Sequence, residues 1–415
     1  MLNSKSYQIE QVIVGQYDIT EGVSAFAYYE SILSPAISIE LVVIDSEGLL
    51  SGGRRGGNGI LGGELSSIKI NTPNGGLEFG TLYLRQISNS TPSSTNNIFV
   101  LTLTTPEALI NETSRCCKRY EGKISDTVLK IATETFLFDS ERGLEVEDTS
   151  NEYSFIGNSR KPFHTITWLA KKSIPTGGRG VRDDEGSAGY FFYEDRFGYK
   201  FISVDTLCAR TSGNSILQYY QSESTDPTQD DKFSILNYTY ETNYDLLENL
   251  RLGMFSNVNY FWNAYSLTTN CYEYNLNNSY SEQIKTLEDS ASLFNVPLGL
   301  QNSPSRIMVG VLDSGTLQKD GKIPNDSSPP QDQAKYQAQA VVRYNLIFSQ
   351  SVSITISSNV TLKVGDVINC KFLLPNSGED LIRSGNYLIA ELSHQFTDGN
   401  GYTGLRLVRD SYSGD

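Results

Sequence analysis

Apolar and polar residues alternate with a period of two through Ala36-Ile37-Ser38-Ile39-Glu40-Leu41-Val42-Val43-Ile44, which predicts a strand with one buried face. A turn-rich stretch from Ser51 to Gly63 follows, and Leu65, Ile68 and Ile70 then precede Pro73. Thr81 to Ile87 and Ile98 to Leu103 carry the same strand pattern on either side of a Ser/Thr/Asn loop. The chain as far as Leu103 therefore predicts an antiparallel barrel or sandwich.

At Thr105 the period changes. Pro106 and Glu107 suit a first helical turn, where proline's missing N–H costs nothing, and the Thr105 hydroxyl is placed to cap it. This helix is predicted to run to Lys118. A second, opened by Ser125-Asp126, lines up Ile124, Val128, Ile131, Ala132 and Thr135. A third spans Pro162 to Ser173, with Ile166, Leu169 and Ala170 inward and Lys171-Lys172 in the last turn, where the helix dipole favours cations. Phe191-Phe192-Tyr193 and Tyr199-Lys200-Phe201 flank a turn at Glu194 to Gly198 and read as a hairpin.

Residues 240–305 are rich in aromatics and Asn, and their pattern yields only a short helix near Tyr244 to Leu252. The stretch 313–333, with Pro324, Pro329 and Pro330 among polar residues, predicts a linker. Gln333 to Phe348 then reads as a helix before strand-rich sequence.

A weak internal repeat organises this picture. Gly63 to Ile70 is followed by Pro73, ten positions from its start, and Gly365 to Phe372 is followed at the same interval by Pro375. Each copy then runs into a Tyr-Leu strand, Tyr83-Leu84 and Tyr387-Leu388, and closes with Phe99 to Leu103 or Tyr402 to Val408. The fold class expected is α+β: two antiparallel β-barrel domains of similar topology with helical and aromatic-rich insertions. The corresponding division is a first barrel at 1–104, a helical and hairpin domain at 105–200, a second barrel made of 201–240 with 306–415, an insertion at 241–305, and the 313–333 linker.

Composition narrows the function. At 415 residues and 46.0 kDa the chain is long enough for several cores, and 25 Tyr with 18 Phe supply apolar surface that favours strands. Five cysteines without CxxC spacing argue against a disulfide framework. Met1 to Ser6 carries no basic-then-apolar signal and no stretch is apolar enough to span a membrane as a helix, so a soluble protein made in a cytosol is expected. A net charge of -15 with no Lys/Arg stripe disfavours binding to phosphate backbones, although an acidic surface lets DNA slide past unbound.

Catalytic signatures are sparse. Gly57-Asn58-Gly59-Ile60-Leu61-Gly62 fits GxGxxG, but a strand pattern follows it where a phosphate site needs a helix N-terminus. His164 and His394 are the only histidines, and neither has HExxH spacing. Asp183-Asp184-Glu185 and Glu194-Asp195 are the one acid/base option, for glycoside hydrolysis. Trp168, Trp262 and Tyr260-Phe261 could offer a sugar-stacking surface, but half-buried packing between domains is the favoured reading. The residues themselves assign no catalytic, cofactor-binding or metal site.

Taken in order, several stretches resemble the baseplate hub protein of T-even-like contractile-tailed phages. They include Ile44-Asp45-Ser46-Glu47-Gly48-Leu49-Leu50 with Gly62-Gly63-Glu64; Pro106-Glu107 to Asn111-Glu112; and Tyr120-Glu121-Gly122-Lys123-Ile124-Ser125-Asp126. Trp168-Leu169-Ala170 and the hairpin around Phe191 to Phe201 continue the likeness. The C-terminal part matches best, at Leu362 to Ile368, Ser384 to Ile389, His394-Gln395-Phe396 and Arg409-Asp410-Ser411. The likeness covers roughly residues 36–210 and 335–412 and fades between them.

The resemblance implies a non-enzymatic, cofactor-free homotrimer whose six barrels form a ring of pseudo-sixfold symmetry. Such a ring adapts a sixfold tail tube, or its initiator protein, to a threefold cell-puncturing spike. It contacts other baseplate proteins and passes the genome through its bore, placing the chain in the virion tail baseplate after assembly in the host cytoplasm. A glycan-degrading or glycan-binding virion protein is the alternative reading.

Overall fold

The computed structural model describes every residue except 1–5, 46–47, 49–58, 93–96, 136–141, 177–185, 211–215, 222–231, 243–244, 264–266, 277–285, 289–296, 313–329, 376–377 and 412–415. The chain is mostly β, with 51% strand and 20% helix, so the helices are insertions into a β scaffold.

The N-terminal part supplies β1 (Gln8–Val14), β2 (Tyr17–Asp18), β3 (Val23–Ser31), β4 (Ser38–Asp45), β5 (Leu65–Thr72), β6 (Gly75–Pro92) and β7 (Asn97–Thr104). They lie in the antiparallel order β3-β4-β7-β6-β5-β1-β2. Alternation sends Ile39, Leu41 and Val43 of β4 and Leu101 and Leu103 of β7 into the core. Among the described residues no strand pairing joins β1 back to β3, so the expected first barrel is an open sheet here.

The chain next forms α1 (Pro106–Thr113), β8 (Arg119–Tyr120), α2 (Ile124–Glu134), β9 (Gly143–Val146), β10 (Phe155–Ile156), α3 (Pro162–Ala170), β11 (Tyr190–Asp195), β12 (Gly198–Ser203) and α4 (Val204–Ala209). Thr105 does not cap α1: its hydroxyl donates instead to Glu194 Oε2 at 3.0 Å. α1 also stops short of Lys118, because Cys116 turns to donate its N–H to the Arg160 carbonyl. α2 buries Ile124, Val128, Ile131 and Ala132 as its spacing predicts, against α3 and the β11–β12 hairpin. At the hairpin turn Gly198 has φ +137°, and a Cβ there would lie 2.3 Å from the Gly143 carbonyl oxygen, so glycine is required.

The C-terminal part contains β13 (Leu217–Gln221), β14 (Ser234–Thr242), α5 (Leu246–Arg251), β15 (Ser256–Asn263), β16 (Thr268–Asn275), β17 (Arg306–Leu312), α6 (Pro330–Ile347), β18 (Gln350–Ser357), β19 (Val367–Lys371), β20 (Gly385–Thr397) and β21 (Asn400–Arg409). The strands β19-β13-β14-β18-β21-β20 close on themselves through the β19–β20 pairing, making a six-stranded barrel. β16-β15-β17 form a separate sheet, covered by α6 through Ala338, Val342 and Leu346. α6 starts at Pro330, inside the stretch expected to be linker, and 313–329 lie outside the described residues.

The open sheet and the barrel are continuous. β20 gives its first half to β19 and its second half to β3, where Glu391–Thr397 run antiparallel to Ser31–Ala25. Phe26 and Phe396 meet across this seam with ring centroids 5.6 Å apart, and one apolar core extends through both parts.

The strand orders β3-β4-β7-β6-β5 and β14-β18-β21-β20-β19 match in sequence order and in antiparallel sense. Two of the bulges match as well, while the shifts at Ser66/Ile68, Asn89/Pro92 and Tyr240/Thr242 have no counterpart. β3 bulges between Val23 and Ala25 against β4, and β14 bulges between Ile235 and Asn237 against β18. β6 bulges between Leu84 and Gln86 against β7, and β20 between Ile389 and Glu391 against β21. A two-bond clasp also recurs: Gly63 N–H donates to Leu84 O (2.8 Å) and Leu84 N–H to Glu64 O (3.0 Å), while Gly365 N–H donates to Ile389 O and Ile389 N–H to Asp366 O (both 2.9 Å). These equivalences place Leu84, not Tyr83, opposite Ile389, so the Tyr-Leu pairs noted in the sequence are one residue out of register. The leading strands differ, since β1 is antiparallel to β5 whereas β13 is parallel to β19.

The two clasp glycines predict unequal costs. Gly63 (φ +87°) faces open space, whereas a Cβ on Gly365 (φ +81°) would sit 2.6 Å from Tyr193 Oη and 3.2 Å from Leu207 Cδ2. Gly63→Ala is expected to cost about 1–2 kcal/mol for the left-handed backbone, and Gly365→Ala about 1–3 kcal/mol more for overpacking. Urea denaturation at one protein concentration measures both, and equal losses would contradict the packing argument.

Candidate functional site

The carboxylates singled out for chemistry are structural where the structure describes them. Glu194 and Asp195 lie at the end of β11 and are fully buried. Glu194 accepts from Ile37 N–H at 3.0 Å, from Thr105 Oγ1 and from the Arg142 guanidinium. Asp195 accepts from Phe197 N–H at 2.8 Å, closing the hairpin turn. Opposite them Glu30 of β3 accepts from Arg196 N–H (2.8 Å), Val364 N–H (3.1 Å) and the Tyr28 hydroxyl. Burial raises the Glu30 and Glu194 carboxyls to about 7 against the pull of those donors. These side chains rivet the hairpin to the first sheet and present no oxygen to a substrate. Asp183, Asp184 and Glu185 lie outside the described residues.

The remaining candidates are scattered. His164 is exposed on α3, while His394 is buried in β20, stacked on Tyr28, hydrogen-bonded through Nδ1 to Thr403 Oγ1 at 3.0 Å, and driven by burial down to about 3. The Gly59 to Gly62 part of the GxGxxG match is a loop leading into strand β5; Gly57, Asn58 and the flanking Arg54-Arg55 lie outside the described residues. Trp168 packs on Tyr153 and Phe155 with Lys172 over its ring, whereas Trp262 is exposed on β15. All five cysteines are unbridged, with Cys116, Cys208 and Cys370 buried. Among the described residues no cluster of His, Cys, Asp and Glu has the arrangement of a metal site, and no helix is long and apolar enough to cross a membrane.

What the structure does present is strand edge. β14 pairs with β13 only at Ser234 and Ile235, so the outer edge of Leu236–Glu241 carries no strand among the described residues. β6 pairs with β5 only as far as Tyr83 and is clasped at Leu84, so among the described residues no strand pairs with its edge from Gln86 to Pro92 on the side away from β7. Leu236, Asn237, Thr239 and Glu241 are exposed. β17 is a third edge, with Ile307, Val309 and Val311 exposed beside Tyr260 and Trp262. Edges of this kind are templates for pairing with another chain. Sequence reasoning missed them, although the Tyr-Thr alternation of 236–242 was a strand signal.

No family model and no curated protein matches this chain. Solved structures do. The tail protein from Neisseria meningitidis MC58 superposes with a TM-score of 0.57 at 12% identity, over 98% of this chain and 97% of that one. The 43 kDa tail protein of prophage MuSo2 from Shewanella oneidensis gives 0.56 at 11%, over 98% and 99%. The chain has the fold of a phage tail protein. It also superposes on a chain of the lidded Francisella PdpA-VgrG complex with a TM-score of 0.51 at 11% identity, covering all of this chain and 54% of that one, so it spans about half of the longer protein.

Proposed function

We propose that the chain is a structural, non-enzymatic hub of a phage tail baseplate, of the kind found in T-even-like contractile tails. It assembles as a homotrimer whose six half-molecules make a pseudo-sixfold ring. The observation that carries this reading is the recurrence of one five-strand order, with the same two bulges and the same glycine clasp, in both halves of the chain. Three copies of a duplicated unit offer six similar faces to a sixfold tail tube or its initiator, while unique insertions keep threefold symmetry for a central spike. The division that goes with this reading is 1–104, 105–200, 201–240 with 306–415, and 241–305, the last joined through β15 to β17 (Arg306–Leu312) and offered to other baseplate proteins. A net charge of -15 suits a bore through which DNA passes without binding. The fold shared with tail proteins supports a place in the virion tail, and the burial of Glu194 and Asp195 weighs against the glycan-cleaving alternative.

Mass photometry of the purified chain tests the reading. The expected result is a species of three times the 46.0 kDa chain mass, whose averaged projections show a ring with six lobes. A strict monomer at high concentration, or a ring without a threefold axis, would overturn it.

A further inference from the structure

The sheet of β16, β15 and β17 distributes its side chains against the usual preference. Its face toward α6 takes Asn257 and Asn259, both fully buried, beside Phe261. The opposite face takes Tyr260 and Trp262 of β15 with Ile307, Val309 and Val311 of β17. All five are exposed, Val309 to 80%. Together they show water on the order of 600 Å², the upper end of what a monomer presents in one patch, and patches of that size are commonly binding sites. β17 is nonetheless firmly held. It keeps seven consecutive pairs with β15 in one register, and the Phe261 ring occupies the space over Gly310, where a Cβ would lie 2.8 Å from Phe261 Cε1. Among the described residues no strand pairs with its outer edge. Edges that stay in water are commonly blunted by Lys, Pro or a bulge, and Ile307-Met308-Val309-Gly310-Val311-Leu312 has none of these.

We infer that an extended segment of a different baseplate protein adds to this sheet as a fourth strand beside β17, its apolar residues at alternate positions covering Val309 and its neighbours. The inference rests on the baseplate reading above. Area and chemistry select the occupant. A standard interface buries about 800 Å² per partner, more than this patch offers to a second copy packed face to face. An added strand supplements the apolar contact with backbone hydrogen bonds along the β17 edge. The five exposed side chains carry no charge, so the residues laid over them are neutral as well. A sugar would need several converging polar groups, and of the five only Tyr260 and Trp262 have one, the Tyr260 hydroxyl lying against Cys271 on β16.

Photo-crosslinking tests this. The full chain carrying p-benzoylphenylalanine at position 309 is expressed in cells that assemble the tail, and the purified tails are irradiated. The expected product joins the chain to a different polypeptide, through a segment of that partner in which apolar and polar residues alternate. The same probe in place of Leu33, which is exposed outside this sheet, is expected not to give it. Val309→Lys, a charge set on the edge, is expected to lower the chain's content in tails about tenfold, and the strand-compatible Val309→Thr by no more than about twofold, with oligomeric state and melting temperature unchanged in both. A cross-link to a second copy or to residues 313–329 of the same chain, no cross-link in tails that contain the chain, or normal content of Val309→Lys would overturn the inference and leave the baseplate reading intact. Flotation of the purified chain with phosphatidylcholine–phosphatidylglycerol vesicles, lost in Val309→Lys, would overturn it in favour of a lipid surface. Tails that lack the chain altogether would overturn both.

Discussion

Arg343→Ala is expected to cost about 3–5 kcal/mol of folding free energy, the size associated with removing one partner of a buried ion network. Arg343 projects from α6 into the interior with no exposure, donating to Asp410 Oδ2 at 2.7 Å and lying 3.4 Å from Asp205 Oδ1 and 3.3 Å from Cys208 Sγ. Burial works against its charge, but Cys208, Asp410 and Asp205 more than offset that and hold the guanidinium above its ordinary value. The carboxylates are themselves anchored, Asp205 by Ser187 N–H and hydroxyl (both 2.7 Å) and Asp410 by Leu287 N–H (3.1 Å). One cation therefore ties α6, α4, the strand-leading loop at Ser187 and the C-terminal segment together. Arg343→Met, which fills space but takes the guanidinium away from the buried Asp205 and Asp410 carboxylates, is expected to be nearly as damaging. Urea denaturation followed by circular dichroism decides the matter: a loss under about 1 kcal/mol for both variants would mean the backbone donors alone suffice.

The second large effect is a loss of stability as pH rises from about 4.5 to about 7. Glu30 and Glu194 are raised from 4.5 to about 7 chiefly by burial, so the folded chain holds these protons after the unfolded chain has released them. Stability from this source is complete below the unfolded value and is lost as pH climbs through the folded value. At 1.36 kcal/mol per pH unit the ceiling is about 3 kcal/mol for each group. Half-buried Glu147 and Asp366, also raised, act in the same direction, and Asp18, Glu112, Glu145 and Glu241, which are lowered, are exposed and weigh little. Buried His394, held down to about 3, stays neutral in the fold and offsets part of the loss below about pH 6.5. Denaturation midpoints at pH 5 and pH 8 measure the difference, and Glu194→Gln is expected to shrink it. Equal or greater stability at pH 8 would show that the donors from Ile37, Thr105 and Arg142 outweigh desolvation.

Much of the β scaffold was legible because its strands keep one buried face. The Ile39-Leu41-Val43 alternation and the Gly63/Gly365 repeat fall on β4, β5 and β19 as expected, with Ile68 and Ile70 occupying the core positions that Cys370 and Phe372 hold in the other half. The three-stranded sheet was not legible because its central strand buries asparagines beside its apolar residues. Asn257 and Asn259 point inward, where Asn257 Nδ2 donates to Ala338 O and Asn259 Nδ2 to Asn257 Oδ1, while Tyr260 and Trp262 face outward. A hydrophobicity pattern reads such a strand inside out. Thr105 illustrates a different limit. Its sequence context is that of a cap, yet the hydroxyl is turned to donate to a buried carboxylate distant in the chain and accepts from no helix N–H. Likewise Glu194 and Asp195 looked available to a substrate because charge along a chain carries no record of burial. The uncovered edges were invisible for a related reason, since a free edge is defined by which neighbour a strand lacks.

The division of β20 between two partners has a mechanical corollary. Seven of its residues, Glu391–Thr397, are laced to β3 while its opening residues are locked inside a closed cylinder. A hinge between the halves would have to shear that ladder in register, breaking its bonds nearly simultaneously. Thrust arriving on one half is thus delivered to the other through backbone rather than through a flexible joint, and the chain behaves as a stiff strut under load.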